Sequence, residues 1–253
     1  MYLSNNLDYL VLEAGLGGEF DATNVVTNDL TVITTIDIDH QEFLGDTIEK
    51  IATTKMRSCD KSFIIASQIN NEVYQIKNKL LHDKKEITLS QHKLTNEARV
   101  LPEYLQNNLQ VALSVLEYLG INCEEYKIPK LFGRFEKLRD NIIIDVGHNP
   151  LAAKVIVKEL EKLDKKVVLI YNSYKDKDFK SVLKILKPFI KEVEIMKCDD
   201  KRMVNTNELE LFIKSLCLNI NYFDIMNISK DNYYLIFGSF IVVEIFLKDF
   251  NSL

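Results

Sequence analysis

Short β-branched runs alternate with longer stretches of helical period along nearly the whole chain. This alternation points to parallel α/β sheets, because successive parallel strands need crossovers that are usually helices. Strand candidates are 9–12, 31–36, 63–66, 87–89, 142–145, 167–171, 193–196 and 233–237. Helical periodicity covers 48–57, 72–81, 103–119, 151–163, 179–186 and 208–218. The stretch 120–133 holds Pro129, a glycine at each end and no clear period, which reads as an interdomain linker. Two α/β domains follow, 1–129 and 130–253.

Composition narrows the function classes. With 47% hydrophobic and 27% charged residues, the 253-residue chain is neither disordered nor a disulfide-knotted miniprotein. Its net charge of −5 gives no general footprint for nucleic acid or anionic lipid. No apolar run reaches the roughly 18–20 residues a bilayer span needs. The nearest, 234–247, is interrupted by Gly238, Ser239 and Glu244. The opening residues lack a basic segment and a long apolar core, so they do not read as a signal peptide. Four cysteines without a CxxC pair read as buried reduced thiols, and the chain as cytoplasmic.

Three regions carry chemistry. The run 9–12 reads as a buried strand ending at Glu13, followed by a turn holding three of the chain's eight glycines. Ligands collect beyond the carboxyl ends of parallel strands, and a buried carboxylate there is costly unless paired or metal-bound. The alternative is a tight strand-to-helix turn. His40 lies just beyond the second strand, in Asp37-Ile-Asp-His-Gln-Glu42, where three acidic groups surround one imidazole. By itself such a histidine is more often a hydrogen-bonded structural residue than a ligand. Lys55 lies 15 residues later on the helix 48–57, and its plainest reading is a solvated amine. The third region joins Gly133-Arg-Phe-Glu136 to Asp145-Val-Gly-His-Asn-Pro150. Asn149 and Pro150 suit a helix N-cap and first turn. Asp145 and His148 are left open between turn stabilisation and function.

Taken in order, Glu13-Ala-Gly-Leu-Gly-Gly-Glu-Phe-Asp-Ala-Thr-Asn24, Asp39-His-Gln-Glu-Phe-Leu-Gly45, Gly133-Arg-Phe-Glu136 and Asp145-Val-Gly-His-Asn-Pro150 resemble the folylpolyglutamate synthase and dihydrofolate synthase branch of the Mur ligase family. Asn108, Asp176-Lys-Asp178 and Gly238-Ser239 extend the match over essentially the whole chain. The resemblance implies an incomplete P-loop-type central domain followed by a Rossmann-like Mur ligase C-terminal domain. It implies an ATP-dependent ligase that phosphorylates a carboxylate and passes the acyl group to the amine of L-glutamate. The positions matching Glu13 and His40 hold Mg²⁺, and the lysine matching Lys55 is carbamylated and helps position metal. Asn108, Arg134 and Asp145 match ATP contacts, and His148 matches an adjacent histidine expected to serve catalysis.

Two departures accompany the match. The family's glycine-lysine phosphate loop, of the GTNGKGS type, has no counterpart among the 253 residues, so the chain looks like the C-terminal two thirds of a ligase. Around the lysine, Glu-Lys-Ala-Gly becomes Thr54-Lys-Met-Arg57, although the 27- and 15-residue steps from Glu13 to His40 to Lys55 agree with the family. The resulting expectation is glutamyl-amide formation on dihydropteroate or tetrahydrofolate, inactive in this chain alone and open to a separate N-terminal segment bearing the phosphate loop. No nucleic-acid or membrane partner is expected. The alternatives are a non-catalytic nucleotide- or partner-binding remnant, and a ligase of peptidoglycan precursors. The Gly-Gly-Glu-Phe-Asp-Ala-Thr-Asn string argues against the last.

Overall fold

The computed structural model describes residues 7–123 and 126–252. Of the segments singled out above, residues 1–6 of the N-terminus and 124–125 of the linker stretch lie outside that range. The chain divides into two compact units, Met1–Tyr126 and Lys127–Leu253.

The first unit contains a three-stranded parallel sheet in the order β1 (Leu30–Ile33), β2 (Ser62–Ile65), β3 (Lys85–Glu86). All four residues of β2 are buried, and their alternation divides the core. Phe63 and Ile65 face a cluster with Ile51, Ala52 and Met56 of α2 (Ile48–Met56) and Val73 and Ile76 of α3 (Asn71–Leu80). Ile64 and the following Ala66 face Val111 of α5 (Glu103–Tyr118). Helices on both sides explain the uninterrupted apolar run. Two short helices, α1 (Gln41–Leu44) and α4 (Asn96–Arg99), lie in the same unit. Thr47 caps α2 by accepting the Lys50 N–H at 3.2 Å.

The second unit contains a six-stranded sheet in the order β4-β5-β9-β6-β7-β8. The strands are β4 (Glu136–Arg139), β5 (Ile142–Asp145), β6 (Val167–Tyr171), β7 (Ile190–Ile195), β8 (Asn219–Tyr222) and β9 (Tyr233–Phe237). All neighbours pair in parallel except β4 with β5. One face packs residues such as Leu169, Val193 and Leu235 against α6 (Pro150–Leu163), α7 (Phe179–Leu186) and α8 (Thr206–Ser215). The other packs Ile144, Ile170 and Ile236 against α9 (Phe240–Phe250). Asn149 caps α6, accepting the Ala152 N–H at 2.8 Å, and Pro150 opens the helix.

Three expectations are corrected. Residues 9–12 form no strand: none of them joins the sheet ladders, and Val11 is 92% exposed. Apolar, β-branched composition supplies strand propensity, but a strand also needs a neighbour to receive its hydrogen bonds. The third strand falls at Lys85–Glu86 rather than 87–89, with Ile87 adding one further bond from its N–H to the Phe63 carbonyl at 2.8 Å. The cysteines are free but not all buried, since Cys217 is exposed. No helix among the described residues is long and apolar enough to cross a membrane.

Candidate active site

In the first unit the glycine-rich loop docks on the helix that carries Lys55. The Glu19 N–H donates to the Thr54 carbonyl at 2.8 Å, and the Glu19 carboxylate meets Arg57 at 3.3 Å. Gly17 has φ +68°, and a Cβ there would lie 2.9 Å from Leu44 and 3.0 Å from Thr54. A Cβ on Gly18 would lie 3.0 Å from the Lys55 carbonyl oxygen. Glycine therefore suits Gly17 by its left-handed backbone and close approach to Leu44, and Gly18 by its tight approach to the α2 backbone. Asp21 folds the rest of the loop around its carboxylate. Oδ2 accepts the Leu16 N–H at 2.9 Å, and Oδ1 accepts the Thr23 N–H and hydroxyl at 2.9 and 2.8 Å. Those hydrogen bonds, led by the Thr23 amide, hold the Asp21 carboxyl down at about 2. Asn24 closes the loop by donating to the Glu19 carbonyl at 2.9 Å.

Lys55 is half-buried rather than a solvated surface amine. Burial pushes its pKa down, and the nearby Asp39 carboxylate partly opposes the shift. His40 follows directly, in left-handed backbone conformation with φ 52°, its N–H donating to Asp39 Oδ1 at 2.8 Å. Its Nε2 comes within 4.0 Å of Asp39 Oδ2. Asp39 thus lies beside His40 and within electrostatic reach of Lys55. Glu13 is not at a buried strand end. It is exposed on the irregular segment before the loop. Among the described residues, no three His, Cys, Asp or Glu side chains are grouped so as to hold a metal ion.

Asn108 is exposed on α5. Its neighbours Gln106, Asn107 and Gln110 line a recess of about 170 Å³ with Ser67, Leu89, Gln91 and Leu94. That wall is rich in neutral amides, none of which stood out in the sequence, and Asn108 itself is not part of it. The i, i+3, i+4 spacing of amides along α5 was the available signal.

In the second unit, Asp145 is buried, and its carboxylate ties two turns together. Oδ2 accepts the Phe135 N–H at 2.8 Å and Oδ1 accepts the Gly147 N–H at 2.7 Å. Gly133 and Phe135 both have positive φ, 61° and 48°, with Arg134 exposed between them. A left-handed phenylalanine is strained by roughly 1–2 kcal/mol, and the Asp145 bond holds it there. Glu136 fixes the same turn, accepting the Gly133 N–H at 3.1 Å and meeting Lys130 at 2.7 Å. Burial would raise the Glu136 pKa, but Lys130 and the Gly133 amide bring it below its ordinary value. His148 Nδ1 lies 3.1 Å from the Val146 carbonyl, so the proton of a neutral ring belongs on Nδ1 and Nε2 is the acceptor.

No family model matches the chain. Dihydrofolate synthase/folylpolyglutamate synthase of Haemophilus influenzae is 30% identical, the match covering 97% of this chain and 69% of that protein. The chain belongs to the dihydrofolate synthase/folylpolyglutamate synthase family. The folylpolyglutamate synthetase of Helicobacter pylori, a solved relative, is 37% identical with a TM-score of 0.68, covering 99% of this chain and 67% of that one. A bifunctional folylpolyglutamate synthase/dihydrofolate synthase solved with Mn, AMPPNP and L-glutamate bound shares the fold at 23% identity and a TM-score of 0.72, covering 93% and 65%. The chain therefore spans about two thirds of the length of these family members.

Proposed function

We propose that this chain provides the lysine- and arginine-bearing part of an ATP-dependent ligase joining L-glutamate to dihydropteroate or a folate. Family membership across nearly the whole chain, with Lys55 half-buried beside Asp39 and His40, carries the reading. The γ-phosphoryl of ATP passes to the substrate carboxylate, giving an acyl phosphate and ADP. The glutamate amine then attacks the acyl carbon, forming the amide and releasing phosphate and a proton. ATP, L-glutamate and Mg²⁺ are the ligands assigned, as nucleotide, glutamate and Mn accompany the related protein noted above.

The exposed Glu13 carboxylate and the His40 ring are chemically suited to Mg²⁺, which usually keeps several waters and takes few protein ligands alongside substrate phosphates. The absence of a preassembled three-residue cluster among the described residues is compatible with such a site. When bound, the ion would offset charge on the phosphates. Lys55, with its depressed pKa, is suited to carbamylation, which turns a cation into an anion near that ion. Arg134 offers a guanidinium fork for phosphate oxygens, and its turn is held by Asp145, whose role becomes one of positioning. Asn108, with the amide-lined recess beside it, is assigned to the adenine. His148, with an acceptor Nε2, is assigned to proton handling near the reacting groups.

A second reading is a nucleotide- or partner-binding module without turnover, favoured by Glu13 lying exposed on an irregular segment rather than at a buried strand end. Phosphoryl transfer depends on positioning and charge stabilisation, which a glycine-lysine phosphate loop supplies. The chain alone is therefore expected not to turn over, and a separate N-terminal segment bearing the loop is the proposed partner. The test incubates pure protein with ATP, Mg²⁺, L-glutamate and dihydropteroate or tetrahydrofolate, with and without that segment. Glutamylation only on complementation supports the ligase reading. Nucleotide binding without turnover in either mixture supports the module, and ordinary turnover by the chain alone refutes the need for a partner.

A further inference from the structure

The backbone ladder between β1 and β2 ends where the Ile33 carbonyl accepts the Ala66 N–H at 2.8 Å. Beyond it, a side chain takes over. Gln68 Oε1 accepts the Ile36 N–H at 2.9 Å, and Nε2 donates to the Thr34 carbonyl at 3.1 Å and the Ala66 carbonyl at 2.9 Å. One planar amide thus stands where the peptide of a neighbouring strand would stand. Its own backbone is fixed by the Tyr74 hydroxyl, which accepts the Gln68 N–H at 3.1 Å. Thr35 adds a bond from its hydroxyl to the Ser67 carbonyl at 2.9 Å. Asn70 makes no cap bond at the start of α3 and instead directs Nδ2 towards Asp37 Oδ1 at 3.5 Å.

The segment held in this way runs straight into Asp37, Asp39 and His40. Ile36, only 1% exposed, anchors it from below in the core shared with α2. We propose that Gln68 is a positioning residue for the His40 and Lys55 site: it extends β1 by three residues and so sets where the Asp39–His40 turn begins. The inference rests on the reading of His40 as a metal ligand. Glutamine is suited to the task because one end accepts and the other donates. Glutamate would keep the acceptor for Ile36 and lose both donors, and leucine would lose all three bonds. A site held within about 0.5 Å depends on such supporting bonds.

The experiment compares the full chain with Gln68→Leu, Gln68→Glu and His40→Ala. Amide hydrogen exchange is followed along the chain, Mn²⁺ alone is titrated by electron paramagnetic resonance, and thermal unfolding checks the fold. In Gln68→Leu, exchange over residues 34–40 should rise at least tenfold and Mn²⁺ affinity fall at least tenfold, while β2 and α2 stay protected. Gln68→Glu should fall between. Unchanged exchange over 34–40, or a uniform rise through β2 and α2, overturns the positioning role. So does Mn²⁺ binding lost in His40→Ala but kept in Gln68→Leu. Mn²⁺ binding that is absent, or indifferent to His40→Ala, overturns the metal reading instead, and the exchange arm then judges Gln68 by itself.

Discussion

Phe135 donates its backbone N–H to the Asp145 carboxylate at 2.8 Å, across ten positions of sequence, and this bond fixes the turn that presents Arg134. The other carboxylate oxygen accepts the Gly147 N–H, at the turn that carries His148. One buried side chain therefore orders two loops that the sequence places apart.

Replacing Asp145 should reveal that double duty. Asp145→Ala would strand two amides, each costing roughly 1–3 kcal/mol if left without a partner. Asp145→Asn should cost less, because its single oxygen can serve one amide while its NH₂ faces the other. Thermal unfolding of the full chain should rank wild type above Asn above Ala. Equal melting of all three would mean that the two turns are held by something else.

Much of the second unit was legible because β5, β6 and β9 are continuous apolar runs that a doubly covered sheet requires, and the structure returns the bounds 142–145, 167–171 and 233–237. The edges were not. Glu136–Arg139 and Asn219–Tyr222 are largely polar, since an edge strand buries little, and both escaped notice. In the first unit the error ran the other way, when apolar residues 9–12 suggested a strand, and none of the described strands pairs with them. For the site, Gly17, Gly18 and His40 stood out by type and spacing. Asp21 and Gln68 did not, because their roles arise from bonds to backbone groups that only the folded chain brings near.

Asp21 predicts an acid-dependent loop. Its folded pKa, about 2, lies below the ordinary 3.8, so its contribution to stability is present above about pH 4 and lost as pH falls towards 2. Asp21→Asn should remove it at neutral pH. The difference in melting temperature between wild type and Asp21→Asn should be constant from pH 5 to 7 and shrink between about pH 4 and 2. A difference independent of pH through that window would show that the carboxylate charge is not what the loop uses.

Glu194 on β7 predicts the opposite dependence. It is 9% exposed, and burial, with Glu192 and Asp224 nearby, pushes its pKa from 4.5 up to about 7. The folded state then binds more protons than the unfolded one between those values, so stability falls as pH rises from about 4.5 to 7. Glu194→Gln should be nearly neutral at pH 4 and stabilising at pH 8, on the order of 3 kcal/mol. Denaturant unfolding at the two pH values measures the difference, and destabilisation by Gln at pH 8 would contradict the burial argument.

Lys55 supplies the last test, because two opposing influences on its amine can be separated by substitution. Burial favours the neutral form, and Asp39 favours the charged form. At a given pH the neutral, nucleophilic fraction of Lys55 should therefore exceed that of an ordinary lysine. Asp39→Asn removes the opposing charge and should depress the pKa further, increasing that fraction. The same neutral amine is the nucleophile that must attack carbon dioxide to form a carbamate, with loss of a proton from nitrogen, so the direction bears on the proposed chemistry as well as on the local electrostatics. Competitive acetylation across a pH series, read by peptide mass spectrometry, gives the titration of Lys55 independently of its accessibility, because accessibility scales the rate while pKa sets the midpoint. The midpoint should lie below 10.5 in wild type and lower still in Asp39→Asn. A midpoint that moves upward in Asp39→Asn would mean that the carboxylate does not face the amine, and the grouping of Lys55 with the His40 turn would have to be abandoned.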